Sequence, residues 1–316
     1  MIGTDLGKAI ELLNQGKLVA IPTETVYGLA ANALDAEAVL SIFTAKKRPT
    51  FDPLIVHVAS IEAAQYHVAD FNEKAMALAK AFWPGPLTLV LPKKNHIPDL
   101  VSSGLDTVAI RMPRHPLALE LLNKLNFPLA APSANPFGYV SPTTAAHVEL
   151  QLGNKIAYIL DGGECEIGIE STIVSFEQER PTVLRLGGIT LEEIEEVVGT
   201  VHLEINQNSN PKAPGQLDKH YSPLKPLYFG DIDKIITAHT QKRIGVLSYM
   251  QSYIEKENVV SNFVLSKTGD LLEATHHLFK AIRQLDSLDI DMIAAEAVPT
   301  HGLGAAINDR LRRASV

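Results

Sequence analysis

Residues 17–22, Lys-Leu-Val-Ala-Ile-Pro, set an unbroken apolar run, Leu18 to Ile21, between a lysine and a proline. A half-exposed strand alternates apolar and polar positions, so a continuous run predicts a strand buried on both faces in the middle of a sheet. It gives way to Thr23, Glu24, Thr25, Val26, Tyr27 and Gly28, a turn crowded with hydroxyls and one carboxylate. Such a turn at a strand's carboxyl end is the usual ligand-facing edge of an α/β sheet. Shorter apolar runs predict further strands at 54–58, 87–91, 107–112, 156–160 and 182–188. Helical spacing appears at 4–15 (Leu6, Ile10, Leu13), behind an Asp35 cap (Ala38, Val39, Ile42, Phe43), at 72–82, and behind Thr190 at 191–198.

The polarity changes after residue 199. Residues 206–215 are polar and broken by Pro211 and Pro214, the composition of a linker. Beyond it, strands expected at 243–247, 259–265 and 291–298 alternate with helices at 270–285 and 304–313. Leu271, Ala274, His277, Leu278, Ala281 and Leu285 mark the buried face of the longer helix, with His276 on its exposed side. The expected division is therefore a first domain over 1–199, a linker over 200–225 and a small α/β domain over 226–316.

Composition narrows the function. A chain of 316 residues with 46% hydrophobic and 20% charged residues is an ordinary globular protein. No apolar run reaches the length of a membrane span and no signal-peptide pattern opens the chain, which points to the cytoplasm. The net charge of −8 opposes a broad nucleic-acid surface. The single cysteine, Cys165, excludes an internal disulfide and reads as a small buried filler. Glu164 and Glu166 lack the oxygen-rich pattern of a calcium loop. Neither GxxxxGK[ST] nor a GxGxxG after a strand occurs.

Several polar residues interrupt the apolar runs. Lys46, Lys47 and Arg48 end the second helix, where the dipole favours cations whether or not they bind anything. His57 stands inside a strand, and Arg111 precedes Pro113 at a strand end, where it is either solvated or able to clamp a carboxylate. Ser133 and Asn135 lie in a proline-flanked turn beside Ala130, Ala131 and Ala134, residues small enough to let a flat ligand approach the backbone.

In order and spacing, PTETVYGL (22–29), AKKRP (45–49) and PLIVHV (53–58) resemble the YrdC-like threonylcarbamoyl-adenylate synthases. STIV (171–174), HYSP (220–223) and GLGAAINDRLRRAS (302–315) extend the resemblance to the long, two-domain form and to nearly the whole chain. The resemblance implies an α/β fold: a YrdC-like twisted mixed sheet flanked by helices, plus a smaller Rossmann-like C-terminal domain. It implies a nucleotidyltransferase that condenses L-threonine, bicarbonate or CO2 and ATP into threonylcarbamoyl-AMP and pyrophosphate. The product would serve downstream transfer proteins that modify an adenosine next to the tRNA anticodon, with weak RNA binding as a further expectation.

The resemblance also carries roles to residues. Lys46, Arg48, Ser133 and Asn135 are expected to form the catalytic phosphate and Mg2+ site. Arg48, Asp52, Thr107, Ser133, Ser141, Arg185, His220 and Tyr221 are expected at ATP, the last two on a linker that folds over the site. Thr25, His57, Arg111, Ser171 and the backbone at Ala131 are expected at threonine. Asp52, Gln216 and Ser222 depart from the family pattern, and a carboxylate at 52 repels phosphates unless it faces a metal ion. Two rivals share parts of this reading. One is a hydrogenase-maturation carbamoyl transferase, whose zinc-finger cysteines and acylphosphatase module are absent here; the other is a non-catalytic RNA-binding module.

Overall fold

The computed structural model describes every residue except 178, 179, 206–210, 212 and 216–219. The expected linker stretch 206–210 and the departure at Gln216 lie outside the described residues. The chain forms two compact units: one of Met1–Phe137, Pro142–Glu166 and Glu170–Leu217, the other of Gly138–Ser141, Ile167–Ile169 and Asp218–Val316.

The first unit is built on β1 (Ile2–Gly3), β2 (Val19–Ile21), β3 (Gly28–Asn32), β4 (Ile55–His57), β5 (Leu87–Pro92), β6 (Thr107–Arg111), β7 (Leu129–Ala130), β8 (Tyr158–Leu160), β9 (Thr172–Ser175), β10 (Thr182–Arg185) and β11 (His202–Leu203). They form one mixed sheet in the order β1-β8-β2-β3-β7-β4-β6-β5-β9-β10-β11. Its helices are α1 (Leu6–Asn14), α2 (Ala36–Lys46), α3 (Ile61–His67), α4 (Glu73–Phe82), α5 (Asp99–Ser102), α6 (Pro116–Lys124), α7 (Ala145–Leu152) and α8 (Leu191–Val198). The expected Asp35 and Thr190 caps operate, the latter completing a capping box with Glu193, and Ser60 and Asn72 likewise accept from the first turn of α3 and α4. Lys47 takes a left-handed conformation (φ 54) that stops α2 one residue after Lys46.

The continuous run at 18–21 is interior and wholly buried, as its pattern required. The segment after its turn departs from expectation. Gly28–Asn32, read from sequence as the approach to a helix, is a strand that returns antiparallel on β2, pairing Ile21 with Gly28 and Val19 with Ala30. Its small residues carry no alternation, and only the neighbouring strands show why they are needed: a Cβ on Gly28 would sit 3.2 Å from that of Ala131. The strand expected over 182–188 stops at Arg185, and Gly187 then passes against the backbone of 170–172. The core of this unit gathers Leu13, Val19, Ile21, Leu121, Leu129, Tyr158 and Leu160 between α1, α6 and the sheet.

The second unit has a parallel sheet in the order β12-β15-β13-β14 from β12 (Leu227–Gly230), β13 (Ile244–Ser248), β14 (Val259–Val264) and β15 (Met292–Glu296). Helices α9 (Ile232–Ala238), α10 (Leu271–Asp286) and α11 (Leu303–Ala314) pack on it. His276 is half-buried rather than exposed, because the backbone of Gly168 lies against it. At the end of α10, Arg283 donates to the carbonyls of Val140 and Ser141. One turn on, Asp286 accepts from Tyr139 Oη and from the amides of Leu224 and Lys225. Tyr221, with a positive φ of 65, is held by stacking on Phe279 and by the Arg310 guanidinium over its ring. Among the described residues no helix is long and apolar enough to cross a membrane.

Gly187→Ala places a Cβ within 2.4 Å of the Glu170 carbonyl oxygen and 2.5 Å of the Thr172 nitrogen. Backbone cannot yield as a side chain does, so the variant is expected to lose roughly 1–3 kcal/mol. A lowered midpoint in urea denaturation, followed by circular dichroism, checks it.

Candidate active site

Of the expected site residues in the first unit, His57 lies on β4 and Thr107 and Arg111 on β6, with the others on neighbouring elements and turns. Because β4 and β6 are parallel and in register, His57 and Arg111 fall side by side at their carboxyl ends. Arg111 is buried, with three anchors: Nε donates to Gly85 O (3.2 Å), Nη1 to Thr25 Oγ1 (2.9 Å), and Nη2 stands 2.7 Å from Glu24 Oε1. The last contact is ionic without hydrogen-bond direction. Thr25 is fixed in turn by Thr23, whose hydroxyl lies 2.8 Å from that of Thr25 and donates to Val26 O. Thus the turn that the sequence singled out grips the arginine at two successive residues.

The expected phosphate residues gather at the opposite, amino-terminal ends of the same strands. Lys46 Nζ donates to the carbonyls of Ser133 and Asn135, and the Lys46 carbonyl accepts from Phe137 N at 2.9 Å. The Ser133 backbone bridges to Gly28, which ties this turn to the central hairpin. Arg48 Nε donates to Asp52 O (3.0 Å) and Nη2 to Pro53 O (2.8 Å), and Nη2 also pairs with Asp52 Oδ1 (2.8 Å). Ile55 is in register with Ala109, so continuing the ladder backward sets Thr107 beside Pro53, at this same end. His57 and Arg111 stand at the carboxyl ends of β4 and β6, whereas β2 runs against those strands. Its own carboxyl end and the turn holding Thr25 therefore start from the end where Gly28 bridges to Ser133, and it is the Arg111 side chain that reaches Thr25. In a mixed sheet, β7 runs antiparallel to β4 and delivers its following turn to the amino-terminal end of β4.

Ser171 and Arg185 form a third group. Arg185 wraps Ser171, donating from Nε to its carbonyl and from Nη2 to its hydroxyl, both at 3.0 Å, while Nη1 reaches Pro214 O at 3.1 Å. The Ser171 hydroxyl also lies 2.7 Å from that of Thr88. A residue expected at threonine is thus bonded directly to one expected at ATP. Ala131 N donates to Ile55 O, two residues back along β4 from His57. Ser141, His220 and Tyr221 belong to the second unit, where all three are buried.

Burial sets the charges. It holds the Lys46 ammonium well below its ordinary value, the Arg48 charge adding to the effect and Asp52 opposing it. It pushes Asp52 up, against the pull of Arg48, Lys46 and Arg185. It lowers His57 to about 3, with the Arg111 charge adding and the carbonyls of Ile55 and Leu129 opposing. His57 is therefore a neutral imidazole, and its Nδ1 makes no hydrogen bond. Cys165 is buried with its thiol pushed up by desolvation, an inert filler as expected.

Sequence reasoning named Thr23 and Glu24 only as members of the polar turn, without roles, and missed Thr88 and Gly85, which meet Ser171 and Arg111 only through tertiary contact. Among the described residues no three His, Cys, Asp or Glu side chains converge as a protein-held metal would need.

The His57 ring yields a pH prediction. The unfolded chain takes its proton near the ordinary value of 6.5, the folded chain only near 3. The stabilisation is complete above pH 6.5 and is lost as the pH falls toward 3. His57→Gln is expected to flatten the fall in stability between pH 7 and pH 4.5, measured by urea denaturation. Ring proton signals of His57 in the wild type should not titrate between pH 8 and pH 5 in NMR spectra.

With this geometry established, similarity to known proteins places the chain. Residues 11–187 match the Sua5–YciO–YrdC family, described as "Telomere recombination", and residues 189–316 match "Threonylcarbamoyl-AMP synthase, C-terminal domain". The chain is 45% identical to the threonylcarbamoyl-AMP synthase of Pyrococcus abyssi over 97% of its own length and 93% of that protein. It is 43% identical to that of Bacillus subtilis, over 98% and 92%. The crystal structure of P. abyssi Sua5 complexed with L-threonine superposes with a TM-score of 0.92 at 43% identity, covering 98% of this chain and 94% of that one. The chain belongs to the Sua5–YciO–YrdC family, in the form that carries the threonylcarbamoyl-AMP synthase C-terminal domain.

Proposed function

We propose that this protein is an L-threonylcarbamoyladenylate synthase, which joins L-threonine, bicarbonate or CO2 and ATP and releases pyrophosphate. The observation that carries the reading is the set of buried cations, Arg111 at one end of β4 and β6 and Lys46 and Arg48 at the other, with Arg185 bonded to Ser171. Near-full-length identity to synthases from an archaeon and a bacterium supports it.

In this reading Arg111 and Thr25 receive the threonine carboxylate, which suits a guanidinium and a hydroxyl already held 2.9 Å apart. Neutral His57 faces the same amino acid with an imidazole that can hydrogen bond an uncharged group such as its hydroxyl. Ala131 lines this end through its backbone. The threonine amine, having lost its proton, adds to the carbon of CO2. A carbamate oxygen then attacks the α-phosphorus of ATP and the bond to pyrophosphate breaks. No step requires a protein nucleophile; the demand is to hold two anions together and to stabilise the charge that builds on the leaving group.

Lys46, Arg48 and Arg185 supply that stabilisation, and Thr107 and Ser133 border the same nucleotide. Lys46, parked on two carbonyls, can exchange them for phosphate oxygens. Mg2+ brought in with ATP would be held by Ser133 and Asn135 together with the nucleotide, and would help neutralise the charge on the departing pyrophosphate. Ser141, His220 and Tyr221 are assigned to the nucleotide by the family resemblance. The product passes to a transfer protein acting on tRNA in the cytoplasm.

Incubation with ATP, Mg2+, bicarbonate and L-threonine is expected to yield pyrophosphate and a threonylcarbamoyl adenylate, detected by mass spectrometry, only with all components present. Lys46→Ala should lower kcat roughly 100-fold or more, the usual loss of one preorganised charge at a developing anion. Arg111→Ala should raise KM for threonine far more than KM for ATP. Intact ATP under every condition refutes the reading.

A further inference from the structure

The carboxylate of Asp52 stands on the cation that the proposed function gives to the ATP phosphates, and the inference rests on that reading. Asp52 is 0% exposed and its Oδ1 is 2.8 Å from Arg48 Nη2. The pairing is local, four residues apart along the loop that leaves α2. It is not what orients the arginine. Two backbone carbonyls, Asp52 O on Nε and Pro53 O on Nη2, already fix the plane of the guanidinium. The carboxylate oxygens lie outside hydrogen-bond geometry, and Oδ2 has no hydrogen-bond partner.

What the side chain adds is therefore a negative charge in the place where an anionic ligand would pair. Lys46 and Arg185 also lie within electrostatic reach, so one carboxylate faces three of the cations proposed for the nucleotide. A phosphate approaching Arg48 meets a buried like charge, and burial leaves that charge poorly screened.

We propose that Asp52 is an internal stand-in for phosphate: it occupies Arg48 in the ligand-free protein, and ATP must displace it or share the cation with it. Asp52 thereby sets the affinity for ATP below that of the same site with a neutral residue. Asn has the shape of Asp without the charge and leaves both backbone carbonyls in place, so it isolates this effect.

The test compares wild type, Asp52→Asn and Asp52→Ser as full-length proteins, with KM measured separately for ATP and for threonine and with ATP binding measured by calorimetry. Asp52→Asn is expected to lower KM and Kd for ATP about tenfold, equivalent to about 1.4 kcal/mol of relieved repulsion. The ratio of the ATP to the threonine KM should fall with it, and Asp52→Ser should move in the same direction. A purely structural partner of Arg48 would not produce that selective gain. The proposal is overturned if the ATP KM rises or stays within twofold of wild type, which would make Asp52 an orienting residue or a contact for the cation bound to ATP. It is equally overturned if neither variant folds. Absence of adenylate formation by the wild type would instead refute the proposed function.

Discussion

Buried positive charge is the constraint around which the first unit is arranged. Lys46, Arg48, Arg111 and Arg185 are each less than a tenth exposed, and an isolated cation in such a place is prohibitively unfavourable. Each is therefore given local partners. Carbonyls of the turn after β7 take Lys46; Asp52 and the loop backbone take Arg48; Glu24, Thr25 and Gly85 take Arg111; Ser171 and Pro214 take Arg185. The partners are mostly backbone oxygens and hydroxyls, which satisfy hydrogen-bonding capacity without cancelling charge.

The mixed sheet makes this arrangement possible. An all-parallel sheet presents its turns at one edge, whereas here the parallel pair β4 and β6 is flanked by antiparallel neighbours. Short β7, running against β4, carries Ser133 and Asn135 to the amino-terminal end of β4. Because β2 also runs against β4, the turn after it starts from that same end and meets Arg111 through the arginine's side chain.

Electrostatic tuning arises from the same burial. His57 stays neutral because it is buried and a guanidinium is adjacent. Lys46 is also disfavoured in its charged form by burial, with the Arg48 charge adding to the effect. In the second unit, by contrast, buried Arg283 and Asp286 act on backbone, fixing the residues around Ser141 and those after Tyr221.

The sequence by itself determined which residues are candidates for chemistry and most of the elements that carry them. The unbroken run at 18–21, the helix caps, the ordered motifs around Lys46, His57 and Arg111, and the polar break after 199 are local signals, written in residue type and spacing. Only tertiary structure decided what those residues do to one another. Gly28–Asn32 shows no strand pattern because its small side chains serve neighbours more than a hundred residues away. Glu24 and Asp52 differ from any surface carboxylate only in where the sheet places Arg111 and where the loop turns Arg48. That His57 and Arg111 stand at one end of β4 and β6 and the turn after β7 at the other depends on strand direction, which pairing fixes and residue type does not. Periodicity reports the face a residue shows to the core; it carries no information about which distant segment fills the other side.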